Sequence, residues 1–307
     1  MTNIIKDLSD RKLITPPTWL PTNTMYLTIM GSIAFGVSDD HSDFDVYGYA
    51  IPPKDICFPH LAGEIPGFGT PKKLFEQYEH HHVFDPDALG GKGRQYDFTI
   101  YGLVRYFQLC LEGNPNTIDS LFVAQSCILH STAVSELVRD NRKLFLSKAL
   151  WPRYKGYAYS QLHKSDGKNP QKGSKRHKLR EKHGMDSKFM YHVVRLLSEI
   201  EQILLIGDLD LQEKGRREHM KAIRRGDVSE AQIKQWASDK ELQLEKLYHK
   251  SKLPEQPSEA KIREVLLQCL ESHYGTIENC ITDTGWPEKA LKDIDNTLHK
   301  IRNKLYS

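Results

Sequence analysis

The sequence predicts an α/β fold, in which a small mixed sheet with flanking helices is followed by an all-helical region. Three observations predict it. Short apolar, β-branched runs bounded by Gly- and Pro-rich turns lie before residue 101, and helical periodicity takes over after residue 150. No internal repeat or long low-complexity tract interrupts the chain. The expected organisation is 1–150 as a sheet-bearing domain and 151–307 as an all-helical domain.

The first predicted strand is residues 25–30, MYLTIM, an apolar run that ends on a glycine. Residues 44–51, FDVYGYAI, carry enough aromatic and β-branched side chains for a second. From Pro52 to Gly93 the chain is rich in Pro, Gly and His and reads mainly as excursions around the sheet. Tyr96–Ile100 is a third short strand, running into an amphipathic helix that Gly113 closes. Asn114-Pro115-Asn116 is turn chemistry, with Thr117 as the expected N-cap of the next helix. Four helices follow, over 153–164, 187–205, 229–248 and 258–273, with Ser229 and Ser258 as N-caps and Gly207 ending the second.

Composition excludes several classes. Of the 307 residues, 39% are hydrophobic and 27% charged, an ordinary soluble balance. No run reaches the roughly 18 apolar residues that would cross a membrane. The first residues, MTNIIKDLSDRK, lack the apolar core of a signal peptide. Five scattered cysteines without a C-x-x-C pair argue against a disulfide framework or zinc ribbon and fit a reducing cytoplasm. Net charge is only +3, yet eight Lys or Arg face two acids between Lys164 and Lys182. That cluster, with Lys172, Lys175, Arg176 and Lys178 at its centre, either draws a phosphate backbone or is a solvated loop.

The chemistry is concentrated in one constellation. Asp43 and Asp45 are two apart on a strand, so their carboxylates point to the same side and repel. A divalent cation gives that pattern a purpose, since Mg²⁺ takes one or two carboxylates and fills its octahedron with water and phosphate oxygens. Asp97 at the head of the third strand offers a third carboxylate, enough for two metals. Gly31-Ser32 follows the first strand directly, where a glycine admits a phosphate to the backbone and a serine adds a donor. Neither G-x-x-x-x-G-K-[ST] nor a post-strand G-x-G-x-x-G is present.

The segment GSIAFGVSDDHSDFDVYGYAI resembles the Gly-Ser…Asp-x-Asp core of the DNA polymerase beta superfamily nucleotidyltransferases. More narrowly the chain resembles the RlaP family, associated with RNA repair. The likeness continues through YDFTIYGLVRYFQLCLEGNPNTIDSLF, SKFMYHVVRLLSEIEQILLIGDL and KLPEQPSEAKIREVLL, and spans about residues 25 to 270. Met30 departs from the basic residue expected before Gly-Ser.

The resemblance implies Mg²⁺ or Mn²⁺ held by Asp43, Asp45 and Asp97, and an NTP bound by Gly31, Ser32 and Ser42. It also brings in the face of the 187–205 helix that carries Lys188, His192 and Arg195 at i, i+4 and i+7. An NMP would pass from the NTP to a hydroxyl with release of pyrophosphate, RNA being the leading acceptor. The alternatives are a protein or small-molecule acceptor, or an idle nucleotide- or RNA-binding regulator.

The other motifs read as structure. His80-His81-His82 is expected to be a mobile polar loop, because adjacent side chains rarely converge on one ion. Tyr154 and Tyr157 have the spacing of core residues, with base stacking by Tyr154, Tyr157 and Tyr159 as the alternative.

Overall fold

The computed structural model describes residues 3–38, 43–58, 74–167, 177, 180–181, 184–275, 291, 294–295, 298 and 301–302. By backbone contacts the chain falls into two compact units: Met1–Ile51 with Glu76–His273, and Pro52–Phe75 with Tyr274–Ser307.

The first unit is built on a five-stranded mixed sheet of order β3-β4-β2-β1-β5, from β1 Thr24–Ile29, β2 Phe44–Ala50, β3 Gln77–Asp85, β4 Arg94–Gly102 and β5 Ile128–Ser131. Only β2 and β4 run parallel; the other pairs are antiparallel. Every residue of β1 is buried, which explains why it reads as a continuous apolar run. β3 and β5 lie on the sheet edges. Both are corrections to the sequence reading. The chain around β3 is so polar that its strand character comes from pairing with β4 and not from a buried face.

Helices α1 Ile4–Asp10, α2 Leu103–Leu111, α3 Pro115–Leu121 and α4 Ala133–Asp140 belong to the sheet half of this unit. Gly113 has φ +73° after α2, as expected of a helix stop. Asn114, not Thr117, caps α3: its side chain accepts from the Asn116 amide, and Pro115 occupies the first turn. Thr117 is buried instead. Tyr26, Tyr49 and Tyr106 form a buried ring ladder with centroids 5.5 and 4.6 Å apart, and the Tyr26 hydroxyl donates to the Ser120 carbonyl at 2.8 Å.

Beyond residue 150 the described elements are all helical: α5 Leu150–Gly167, α6 Ser187–Ile206, α7 Lys214–Arg225, α8 Glu230–Lys250 and α9 Glu259–Tyr274. α7 escaped the sequence reading because Lys, Arg, Glu and His supply most of its twelve residues. Asp186 caps α6, and Gly207 ends it in the left-handed conformation. Val193, Val194, Leu196, Leu197 and Ile200 are all buried, each stabilising the fold by about 1.5–3 kcal/mol through lost apolar exposure. Ser229 forms a reciprocal capping box with Gln232 at the start of α8. Tyr154 is buried, whereas Tyr157 and Tyr159 are exposed.

In the second unit the Tyr274 hydroxyl donates to the Pro52 carbonyl at 2.8 Å and lies 3.0 Å from Cys57 Sγ. No described helix is long and apolar enough to cross a membrane.

Candidate active site

The parallel pairing of β2 and β4 sets Asp45 directly opposite Asp97. Paired residues in neighbouring strands share a face, so two carboxylates that are 52 positions apart in sequence stand side by side. Asp43 precedes β2 and acts on Asp45 as well. Burial pushes the Asp45 carboxyl up to about 6, and the charges of Asp97 and Asp43 add to the shift. Lys188 and His81 oppose it. The carboxylates from the sheet and Lys188 from α6 therefore belong to one electrostatic neighbourhood.

Gly31 opens a single helical turn, Gly31–Ala34, after β1, and has φ +66°. A Cβ at this position would lie 1.9 Å from Asp45 Oδ2. The glycine is required because the carboxylate already fills the space a side chain would need. This reason is absent from the local sequence, where phosphate approach was the argument for glycine. The Met30 amide donates to the Asp45 carbonyl at 2.7 Å, tying the turn to β2 at the same residue.

The helical region holds this turn from behind. Gln212 Nε2 donates to the Ala34 carbonyl at 3.1 Å, and an Arg224 guanidinium nitrogen donates to the Val37 carbonyl at 2.6 Å. Arg195 lies over the Phe35 ring at 4.5 Å. These partners lie 160 or more positions downstream of the turn, and nothing in the local sequence points to them.

Of the helix trio, Lys188 is exposed and His192 half-buried, with its ring 4.2 Å from that of Tyr191. Arg195 is placed differently from the expectation. It is 4% exposed and its guanidinium is committed to Asp119 of α3 and to Glu199 one turn further along α6. Glu199 is itself fully buried. Burial pushes Asp119 and Glu199 up, Arg195 and Arg216 pull both down, and Arg195 itself is held up by the two acids. A guanidinium placed this way steadies the interior and is not free to grip a triphosphate without leaving two buried carboxylates uncompensated.

The histidine run is a strand and not a loop. It lies in β3, where the His82 amide donates to Asp97 Oδ1 at 2.6 Å. His81 Nδ1 and His82 Nδ1 lie 3.9 and 3.8 Å from the same oxygen. The aromatic and β-branched residues that frame the run, Tyr78, Val83 and Phe84, are the signal that marks a strand. Ser42, Lys172, Lys175, Arg176 and Lys178 lie outside the described residues.

Among the described residues, no group of three or more His, Cys, Asp or Glu side chains is placed to hold a metal ion by itself. The chemistry of the donors nevertheless suits a hard divalent cation. Asp45 and Asp97 present oxygen ligands on one face, and a cation there would favour the ionised form of the Asp45 carboxyl, which burial above all, and then Asp97 and Asp43, disfavour. Such an ion fills the rest of its shell with water and substrate oxygens, so a closed protein cage is not required.

A search of the curated proteins finds no match. Among solved structures, a nucleotidyltransferase-like protein from Exiguobacterium sibiricum 255-15 is similar at 9% identity, over 80% of this chain and 73% of that one. Its TM-score of 0.28 is too low to carry an argument. The sequence model of the RNA repair pathway DNA polymerase beta family, RlaP, matches residues 9–268. With Gly-Ser and the paired aspartates inside that span, the chain belongs to the RlaP family and is a nucleotidyltransferase of the DNA polymerase beta type.

Proposed function

We propose that the protein transfers a nucleoside monophosphate from an NTP to a hydroxyl at an RNA end, with Mg²⁺ or Mn²⁺ as cofactor. The observation that carries the reading is the pairing of Asp45 with Asp97 beside the Gly31-Ser32 turn. RNA as the acceptor rests on the family's description as an RNA repair pathway family, and on the basic segment 164–182.

In this reading Asp43, Asp45 and Asp97 would hold the metal, and the bound ion would supply charge neutralisation for the triphosphate and activation of the attacking hydroxyl. The acceptor oxygen forms a bond to the α-phosphorus, the bond to the bridging oxygen of the β-phosphate breaks, and pyrophosphate leaves. The hydroxyl proton passes towards the carboxylate of Asp97. Ser32 binds the terminal phosphates, and Lys188 adds positive charge beside Asp45. Positioning and charge neutralisation supply most of the acceleration. The sheet half, 1–150, supplies the chemistry, and 151–307 supplies the cover.

The test is incubation with each labelled NTP, Mg²⁺ or Mn²⁺, and a mixture of cellular RNA and protein. Label in RNA that disappears with Asp45→Asn supports the proposal. Label in protein or a small molecule alone would overturn the RNA acceptor, and no label under any condition would overturn the transfer itself.

A further inference from the structure

The β3–β4 ladder breaks at one place. His80 pairs with Phe98 and Val83 with Tyr96, so two residues of β3, His81 and His82, face a single residue of β4. That residue is Asp97. Such a bulge bends a strand and re-aims what lies across from it.

His82 has φ +59°, a left-handed conformation that a residue with a Cβ adopts only against steric resistance. This turn of the backbone sends the His82 amide to Asp97 Oδ1, at 2.6 Å. Gln95 Nε2 braces the imidazole at 2.7 Å from His82 Nδ1. The arrangement retains a disfavoured backbone angle on an exposed edge strand, opposite a carboxylate of the site. Strain that persists at such a place is the mark of a constraint the site imposes.

We infer that the His82 bulge is a positioning device: its amide holds Asp97 Oδ1 and thereby fixes the direction in which the carboxylate offers Oδ2 to a metal or an acceptor hydroxyl. His82 is a positioning residue that acts through its backbone. This rests on Asp97 belonging to the carboxylate set, as proposed above. A carboxylate on an unbulged strand would be free to rotate, and a ligand off by about 1 Å weakens both metal binding and transfer, by up to about 100-fold.

The backbone and the side chain can be separated, because glycine accepts a left-handed angle and a β-branched residue resists it. In the full chain, His82→Gly keeps the amide and loses the imidazole. His82→Val loses the imidazole and expels the bulge conformation. The readouts are Mn²⁺ binding in the presence of NTP, followed by electron paramagnetic resonance, together with kcat, KM and Tm. His82→Gly is expected to bind Mn²⁺ within about twofold of wild type and to melt at a higher temperature. His82→Val is expected to bind Mn²⁺ about tenfold more weakly, with a matching fall in kcat.

Equal losses in the two variants would assign the effect to the imidazole and overturn the inference, as would no loss in either. If His82→Val does not fold, His82→Ala replaces it, and about threefold weaker Mn²⁺ binding than His82→Gly is expected. Equality of Ala and Gly then overturns the inference. Asp97→Asn is the separate control. If it keeps full Mn²⁺ binding and transfer, the assignment of Asp97 fails, and not merely the role of the bulge.

Discussion

Gly31 and Asp45 compete for one volume, since a Cβ on the glycine would sit 1.9 Å from the aspartate Oδ2. The phosphate-side turn and the carboxylate are therefore set against each other without slack, and the positive φ of Gly31 is what keeps the turn there.

Gly31→Ala adds a methyl and forces a left-handed alanine. The backbone penalty alone is about 1 kcal/mol, and the clash moves Asp45 as well. Transfer is expected to fall about 100-fold or more, with a melting temperature a few degrees lower. Single-turnover kinetics and thermal melting check this. Wild-type values for both would mean that Asp45 moves without consequence.

Asp45 makes the protein's behaviour depend on pH. Its carboxyl in the fold lies at about 6, against an ordinary value of 3.8. Ionised Asp45 therefore opposes folding: the cost is absent below the lower value, grows between the two, and is complete above about 6. Asp45→Asn should raise stability at pH 8 by roughly 1–3 kcal/mol without metal, leave it little changed at pH 4, and abolish transfer. Mn²⁺ affinity of the wild type should climb through pH 6 and level off above it. Lys188→Ala should shift that climb to higher pH, because Lys188 favours the ionised form. A flat pH profile of Mn²⁺ binding between 5 and 7 would contradict the assignment.

Arg195 is expected to behave as a structural charge. Arg195→Ala strands Asp119 and Glu199 in the interior, at a cost of about 3–5 kcal/mol. Both carboxyls then sit further above their ordinary values, so the added penalty is largest at high pH and shrinks as they take up protons. The gap in melting temperature between Arg195→Ala and wild type should be narrower at pH 5 than at pH 8. A variant that melts like wild type but has lost NTP affinity would place Arg195 on the triphosphate instead.

Replacing Lys172, Lys175, Arg176 and Lys178 with Ser should weaken RNA binding and flatten its salt dependence, by about 0.7 in logarithmic slope for each lost phosphate contact. NTP affinity should hold. Unchanged RNA affinity with an unchanged slope would reduce the segment to a solvated loop.

The sequence by itself determined the strand positions of Asp45 and Asp97, the Gly-Ser after β1, the helical character beyond residue 150 and the stops at Gly113 and Gly207. Each of these depends on neighbours a few positions away: alternation on a strand, periodicity on a helix, a residue that tolerates a left-handed angle. Only the tertiary structure decided that Asp45 faces Asp97, because strand order and register are long-range facts. It also decided that the histidine run is a bulged edge strand and that Arg195 is interior. Spacing at i, i+4 and i+7 establishes that Lys188, His192 and Arg195 lie near one helix face. Which of them meets solvent depends on what packs there, and at Arg195 it is Asp119 from a helix 76 positions upstream.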